Sequence, residues 1–392
     1  MQEGKKFYQQ NKLVLHSWDI FLYTGKERKN KDRRMEMKYK HRLTALTAMA
    51  CAAALTACSG QSGSQAGTSA GDPVQREFFA MDTYMTLTAY GDGAKEALEK
   101  AQTEVEKLES EWSVTDESSE IYQMNHSQGS PVTLSDDTAD IVSFALEMAK
   151  ETEGDLDPTI YPVLAAWGFT TDENRIPSQE ELDGLLANVG YERVELDGNT
   201  VRLPEGMEFD LGAVGKGYAG DRLAELLKEE GVTSALLDLG GNIQAIGERP
   251  GGGDWRLGIR SPFDGGEGVL GMLLASDCAV VTSGNYERYF VGEDGKEYGH
   301  IIDPDTGYPV DNGLASVTII ADEGKKGDAL STSMFVKGLD EATEYWQEHQ
   351  DFEMILVTQD GQIYLTEGVE DQFTLSTDFG NMDIHVIKGD EQ

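Results

Sequence analysis

Basic residues, cysteine and histidine are scarce in this chain of 392 residues. It has 32 Lys and Arg against 71 Asp and Glu, and its formal net charge of −39 argues against nucleic acid and anionic membrane surfaces as partners. Of its three cysteines, two lie near the N-terminus, so no disulfide framework is expected and stability must come from a hydrophobic core. No His and Cys spacing typical of a zinc site occurs either.

Two common phosphate-binding motifs are absent from residues 210–221, the most informative segment of the chain. A Walker loop needs Ser or Thr after its lysine, but Gly217 follows Lys216, and the dinucleotide fingerprint G-x-G-x-x-G is missing. What is present is three glycines around Lys216, directly before a helix predicted from Tyr218 to Glu230. Glycine permits close backbone approach and a helix N-terminus attracts anions, so the segment predicts a phosphate site. A plain strand-to-helix turn is an equal alternative.

The N-terminal region predicts export. An uncharged apolar run of fifteen residues, 43–57, follows basic residues; it is too short to span a bilayer but suits a secretory signal. Its Leu-Thr-Ala-Cys ending resembles a bacterial lipoprotein box, so we predict a signal peptide at 35–57 and lipidation of Cys58. Residues 58–75 add a flexible Ser/Gly tether. Residues 1–34 are interpreted as an untranslated upstream extension, because Met35 would begin a normal signal. We therefore expect an extracytoplasmic protein held at the bacterial membrane by its lipid alone.

Residues 76–385 are predicted to form one large α+β domain. The chain beyond residue 57 has 20 basic and 66 acidic residues, a net charge of −46, and no low-complexity break after residue 75. Apolar periodicity and capping signals predict helices over 94–112, from about 135 to 153, from 178, and over 218–230, 326–337 and 341–349. Strand-like segments are predicted at 78–90, 233–238, 242–247, 255–260, 269–275, 277–282, 315–321, 352–358 and 362–366.

Four further segments carry candidate chemistry, each with a structural alternative. Residues 154–159 (Gly-Asp-Leu-Asp-Pro-Thr) present two carboxylates in a turn that is often only a helix stop. Residues 238–242 (Asp-Leu-Gly-Gly-Asn) end a strand where a phosphate could approach, although a tight turn is the more common meaning. His300 could act as a general base, but a single histidine is more often structural. Asp328 and Thr332 share one helix face and suit a hard cation such as Mg²⁺, or are incidental neighbours.

Taken together and in order, these segments resemble the ApbE family of FAD:protein FMN transferases. The matched segments are 79–83 (Phe-Ala-Met-Asp-Thr), 112–125, 155–159, 167–169 (Trp-Gly-Phe), 210–221, 238–242, 282–284 (Thr-Ser-Gly), 300–309 and 328–332. They cover nearly all of residues 76–370. The resemblance implies a single ApbE-like (T-fold-like) domain of mixed sheets flanked by helices.

The resemblance also implies a reaction and a set of site residues. Such enzymes use Mg²⁺ to cleave FAD, transfer FMN to a Ser or Thr hydroxyl of an acceptor protein, and release AMP. His300 then corresponds to the base, and the metal ligands to the Ala213 carbonyl, Asp328 and Thr332. The implied FAD contacts are Met81, Trp112, Asp155, Leu156, Asp157, Asp210, Lys216 and Ile302. The implied acceptor is an exported flavoprotein subunit of the Rnf or quinone-reductase type.

The chain departs from the family pattern at two of these positions. Asp82 stands where glycine is usual, and Leu156 stands where a larger residue is common. No acceptor motif of the form Ser/Thr-Gly-Ala-Ser/Thr occurs, so the chain is predicted to act on another protein. Two alternatives stay open: an FAD pyrophosphatase giving FMN and AMP, and a non-catalytic flavin-binding lipoprotein.

Overall fold

The computed structural model describes residues 71–171, 173–263 and 266–389. All of them belong to one compact unit, Thr68–Gln392. The predicted upstream extension, the signal peptide, Cys58 and residues 59–70 of the predicted tether lie outside the described residues. Within the described residues, no helix is both long enough and apolar enough to cross a membrane.

The described domain contains seven α-helices and four β-sheets. The helices are α1 Ala94–Trp112, α2 Glu120–Asn125, α3 Asp136–Glu151, α4 Tyr161–Trp167, α5 Gln179–Leu186, α6 Gly215–Glu229 and α7 Gly324–His349. The strands are β1 Val74–Ala80, β2 Thr83–Ala89, β3 Val132–Thr133, β4 Glu195–Asp197, β5 Thr200–Arg202, β6 Ala235–Asp238, β7 Asn242–Ile246, β8 Trp255–Arg260, β9 Val269–Ala275, β10 Ala279–Gly284, β11 Tyr289–Val291, β12 Glu297–Gly299, β13 Leu314–Ala321, β14 Glu353–Thr358, β15 Gln362–Thr366, β16 Phe373–Leu375 and β17 Asp383–Ile387.

A nine-stranded sheet forms the centre of the domain, in the order β1-β2-β6-β7-β10-β13-β14-β15-β17. Neighbouring strands are antiparallel except β15 and β17, which are parallel. Three smaller sheets, β16-β9-β8, β3-β5-β4 and β11-β12, flank it. This mixture of sheets and helices confirms the predicted α+β class.

Helices α6 and α7 position the candidate site because they pack against each other and against the central sheet. The α6 residues Leu223 and Leu227 are fully buried in one apolar cluster with β2 and β6. The α7 residues Leu330, Met334 and Phe335 are fully buried in another, with β13 and β14. Burial of a large apolar side chain contributes about 1.5–3 kcal/mol, so both helices are held mainly by their apolar faces.

Most predicted elements are confirmed, and two differ from the prediction. The predicted strand 78–90 is a hairpin, because Met81 and Asp82 form a two-residue turn between β1 and β2. Helix α6 begins at Gly215 instead of Tyr218. The two helices predicted over 326–337 and 341–349 are confirmed as the two parts of α7, which begins at Gly324 and is interrupted at Gly338, where the backbone is non-helical with φ 80°. The short α2, α4 and the hairpin β11-β12 were not predicted, since each is too short for a periodic signal.

Candidate active site

The predicted phosphate loop is the first turn of α6. Because the helix begins at Gly215, Lys216 and Gly217 lie in that turn, and Val214 at the N-cap position makes no capping hydrogen bond with its side chain. Backbone N–H groups and a partial positive charge at a helix N-terminus attract anions, and Lys216 adds a full charge. This placement favours the phosphate-binding alternative over a plain turn.

Asp328 of α7 lies against this helix start. Its side chain is only 4% exposed, its Oδ2 accepts the Gly217 N–H at 2.9 Å, and its Oδ1 lies 3.8 Å from Lys216 Nζ. Thr332 follows one turn later on the same helix. The fold therefore brings Asp328, which lies far from Lys216 in sequence, beside the predicted phosphate-binding turn.

The Ala213 carbonyl is left without a helical partner by the same contact. The N–H four residues later belongs to Gly217, and it donates to Asp328 instead. Within the part of the chain that the structure describes, the Ala213 carbonyl accepts no backbone hydrogen bond. A carbonyl oxygen without a partner beside a buried carboxylate is a fitting pair of ligands for a hard cation.

The Ala213 carbonyl, Asp328 and Thr332 suit Mg²⁺ better than they suit a metal that needs all of its ligands from protein side chains. Among residues 71–171, 173–263 and 266–389, no cluster of three or more His, Cys, Asp or Glu could hold a metal. Mg²⁺ commonly takes one or two carboxylates and completes its shell with water and substrate phosphates. The Ala213 carbonyl, Asp328 and Thr332 match that preference.

Asp210 lies near the same helix start. Its Oδ1 accepts the Gly212 N–H at 2.6 Å. Burial raises the pKa of the Asp210 carboxyl above its usual range, while that N–H and the charges of Lys216 and Arg288 act in the opposite direction. The charge of Asp82 also raises this pKa. The Asp210 carboxyl therefore lies within reach of charges of both signs.

The turn that carries Met81 keeps a left-handed backbone although Asp82 replaces the usual glycine. Met81 has φ 48° and Asp82 has φ 57°. Asp is among the few residues other than glycine that adopt this region readily. The Met81 N–H donates to Glu109 Oε1 at 2.9 Å, which attaches the turn to α1. The substitution therefore adds a carboxylate without removing the turn.

Trp112, the last residue of α1, packs edge-on against Tyr218 of α6 with ring centroids 5.5 Å apart. Its side chain is 7% exposed. Its Nε1 has no hydrogen-bond partner in the described residues. A buried indole N–H without a partner is costly, so this donor is available to a bound ligand.

The 155–157 loop is attached to the site, but its side chains bind other parts of the protein. The Asp210 N–H donates to the Pro158 carbonyl at 2.7 Å, which links the loop to the site. Asp155 forms an ion pair with Lys337 of α7, and Leu156 is only 3% exposed in the core.

Asp157 is committed to the protein by both of its oxygens. Oδ1 accepts the Thr159 N–H at 2.8 Å and its hydroxyl at 2.6 Å, and Oδ2 accepts the Tyr191 N–H at 3.0 Å. Contacts of FAD with residues 155–157 stay a prediction, and for Asp157 they would involve its backbone.

His300 lies within the electrostatic reach of Lys216 and Arg288. Burial, followed by the charges of these two cations, lowers the pKa of His300 to about 4. Its Nδ1 lies 3.2 Å from the Arg288 carbonyl, which can only accept, so Nδ1 carries the proton and Nε2 keeps its lone pair. The imidazole is therefore neutral near pH 7 and has a free acceptor nitrogen, as a general base requires.

Ile302 and the 167–169 segment lie together, and Phe169 of that segment contacts His300. Ile302 and Trp167 share a small apolar cluster with Phe169, and the Trp167 Nε1 donates to the Gly307 carbonyl at 2.8 Å. Phe169 packs edge-on to the His300 ring at 6.5 Å. Two predicted motifs that are distant in sequence thus support one histidine.

The sequence patterns did not identify Glu287 and Arg288 as site residues. Desolvation by the surrounding protein raises the pKa of the Glu287 carboxyl to about 7, against the opposing charges of Lys216 and Arg260, although the residue as a whole is exposed. Arg288 acts on both Asp210 and His300. Their signal was a charged pair following the matched 282–284 segment, but a charged pair on a surface loop is usually only solvated.

Comparisons with known proteins identify the family of this chain. A model of the ApbE family matches residues 81–356. The chain is 34% identical over 252 residues to an FAD:protein FMN transferase of Klebsiella pneumoniae, covering 63% of this chain and 78% of the relative. It is 32% identical over 298 residues to the FAD:protein FMN transferase of Escherichia coli K12, covering 73% and 84%.

Two solved structures are similar over most of the chain. The ApbE protein of Thermotoga maritima superposes with a TM-score of 0.72 at 30% identity, covering 77% of this chain and 99% of that one. The flavin transferase ApbE of Vibrio cholerae gives 0.67 at 27% identity, covering 80% and 99%.

Proposed function

Because this chain belongs to the ApbE family, we propose that it transfers FMN from FAD to a Ser or Thr hydroxyl of an exported acceptor protein and releases AMP. The family relationship makes the chain a flavin transferase; the metal, the acceptor hydroxyl and the second product are parts of the proposal. One observation carries it. A lysine and a buried carboxylate lie with a partnerless carbonyl at the start of α6, and a neutral histidine lies within the electrostatic reach of that lysine.

The pyrophosphate of FAD is proposed to bind at the first turn of α6, where Lys216 and the helix N-terminus offset its charge. The Ala213 carbonyl, Asp328 and Thr332 would hold Mg²⁺ there. Bound in that place, the metal would neutralise charge that develops on the phosphate oxygens. Trp112, with its free Nε1, and Met81 are proposed to contact the flavin nucleotide, as are Asp155, Leu156, Asp157, Asp210 and Ile302.

His300 is proposed to take the proton of the acceptor hydroxyl at Nε2. The hydroxyl oxygen then forms a bond to the phosphorus of the FMN part, and the bond from that phosphorus to the bridging oxygen breaks. AMP leaves with the electron pair of that bond. A histidine whose pKa is lowered to about 4 is unprotonated at neutral pH and is ready to accept this proton.

The proposed setting is outside the cytoplasm. The apolar run at 43–57 and Cys58 support a lipid anchor, and the tether would separate the domain from the membrane. The acceptor would then be an exported subunit of an Rnf or quinone-reductase complex. Mass spectrometry of the mature N-terminus decides the anchor: a chain that begins before Cys58 or carries no lipid contradicts it.

A single assay tests the reaction and separates it from its alternatives. FAD, Mg²⁺ and an exported acceptor domain are incubated with the protein, and AMP and the mass of the acceptor are measured. AMP with a flavin-modified acceptor supports the proposal. AMP alone identifies an FAD pyrophosphatase, and neither product identifies a flavin-binding protein.

Asp328→Ala is expected to lower the Mg²⁺-dependent rate at least about 100-fold, because it removes a metal ligand and leaves the Lys216 side chain without its carboxylate neighbour. The matched control is Asp340→Ala, an exposed carboxylate on the same helix, which should keep the wild-type rate. Equal rates for the two variants would remove the proposed metal site.

A further inference from the structure

Asp221 joins the two helices of the site although it touches none of the proposed ligands. It lies on α6, one turn after Gly217. Its Oδ1 accepts the Gly324 N–H at 2.6 Å and its Oδ2 accepts the Lys325 N–H at 2.9 Å. Both donors are in the first turn of α7, whose own N-cap residue, Glu323, makes no side-chain capping bond. An aspartate of α6 therefore caps α7.

The reverse contact comes from Asp328, so each helix is capped by an aspartate of the other. Asp328 of α7 accepts the Gly217 N–H in the first turn of α6, as Asp221 of α6 accepts those of α7. On each helix, the capping aspartate lies four residues after the glycine whose N–H the other aspartate caps. The two contacts thus run in opposite directions across one helix crossing.

The crossing has no room for a side chain between the two helices. A Cβ at Gly217 would lie 2.1 Å from the Gly324 carbonyl oxygen, and a Cβ at Gly324 would lie 2.7 Å from the Gly217 carbonyl oxygen. With the backbones in contact, a shift of one helix along the other moves every group on it. The two aspartates set the position of one helix along the other, because a charge-assisted hydrogen bond is directional and strong.

We propose that Asp221 is a positioning residue that sets the register of α7 on α6 and so brings Asp328 and Thr332 to the Ala213 carbonyl. This role rests on the proposed function, because it concerns the geometry of the proposed Mg²⁺ ligands. Those ligands come from two helices, and Asp328 is one turn beyond the α7 residues that Asp221 holds. The proposed FAD contacts Lys216, Asp210 and Trp112 lie outside α7. Metal affinity should therefore depend on Asp221, and metal-free FAD binding should not.

The test compares Asp221→Asn with Glu323→Gln in the full-length protein. Asp221→Asn keeps the shape of the side chain but replaces one acceptor by an NH₂ group facing a backbone N–H. Glu323→Gln removes a charge at the same helix start from an exposed residue that caps nothing. Mg²⁺ binding is measured by calorimetry with ADP present, which supplies a pyrophosphate but cannot donate FMN. FAD binding is measured in EDTA by flavin fluorescence.

The expected result is a dissociation constant for Mg²⁺ raised about 10-fold or more in Asp221→Asn, with FAD affinity in EDTA changed less than about twofold, as for residues that orient metal ligands. Glu323→Gln should change neither. Unchanged Mg²⁺ affinity in Asp221→Asn would overturn the proposal. Parallel losses of Mg²⁺ and FAD binding would also overturn it, since they indicate a general structural role.

Two further outcomes keep the test decisive. If Asp221→Asn does not fold, Asp221→Glu is measured by the same criteria, and loss of the fold in both variants overturns the positioning role. If Mg²⁺ neither binds to the wild type nor supports transfer, the proposed function fails. A wild type and an Asp221→Asn variant that bind Mg²⁺ equally contradict the positioning role alone.

Discussion

The start of α6 and the rim around His300 belong to one site but are built in opposite ways. At the α6–α7 crossing, backbones touch at Gly217 and Gly324, Asp328 is 4% exposed, and carboxylates accept hydrogen bonds from backbone N–H groups. At the rim, Glu287 and Arg288 are exposed, and the charges of Arg288 and Lys216 act on one histidine. The residues of the crossing are buried, whereas Glu287 and Arg288 at the rim are exposed to solvent.

This difference follows from what each region is proposed to bind. A pyrophosphate and a metal ion are small and need fixed oxygen and nitrogen groups, which backbone contacts provide without side-chain freedom. An acceptor protein must bring its own hydroxyl to His300, so that side has to stay accessible. The three predictions below test the contrast, from the largest expected effect to the smallest.

At the rim, His300→Gln should lower the rate of FMN transfer about 10²–10⁴-fold, because no neutral base then takes the hydroxyl proton. FAD binding should persist, since the crossing is untouched. Steady-state transfer and flavin fluorescence measure the two effects. The control is His126→Gln, an exposed histidine whose Nδ1 likewise contacts a backbone carbonyl. A loss of less than about tenfold would argue against a base at this position.

At the crossing, Gly217→Ala should destabilise the fold by about 3 kcal/mol, the upper end for adding a methyl group to a filled interior. Its Cβ would meet the Gly324 carbonyl oxygen at 2.1 Å. Gly184→Ala in α5 is the matched control, because its Cβ would meet nothing within 4 Å. That variant should be stabilised by about 0.5–1 kcal/mol. Urea unfolding measures both, and equal midpoints would show that the crossing is not tightly packed.

The smallest effect concerns the pKa of His300. The charge of Arg288 helps to lower that pKa to about 4, so Arg288→Gln should raise it toward the ordinary value of 6.5. The sign follows because removing a neighbouring cation makes the imidazolium less unfavourable. An NMR titration of the His300 ring measures the change, with Arg256→Gln on β8 as the control. An unmoved pKa would mean that the rim charges do not act on His300.

Much of the fold follows from local patterns. The helix over 94–112 has the predicted bounds, because its buried residues recur every three or four positions and Ala94 and Trp112 end that series. Ser178 caps α5 as the capping box predicts, with its hydroxyl accepting the Glu181 N–H. Strands 255–260 and 269–275 were also correct. In each case a signal within one turn or one strand pair decided the structure.

The errors arise where contacts distant in sequence decide the outcome. Helix α6 starts three residues earlier than predicted, because Asp328 accepts a backbone N–H in its first turn and α7 packs on its glycines. The bonds of the Asp157 carboxylate to Thr159 and Tyr191 could not be predicted from the sequence either, although the FAD contact of this residue stays a prediction. Glu287 and Arg288 have only the weak local signal of a charged pair, which does not separate a site from a solvated loop.

The sequence by itself determined the α+β class, most helices and strands, the resemblance to one family, and the importance of the 210–221 segment, since glycine, charge and periodicity act locally. The tertiary structure alone decided that the helix begins as early as Gly215, that Asp328 lies beside this helix start, and that Asp221 and Asp328 cap each other's helices. Those facts depend on the packing of α7 across α6, and packing is settled by shape and by hydrogen bonds between residues about a hundred positions apart.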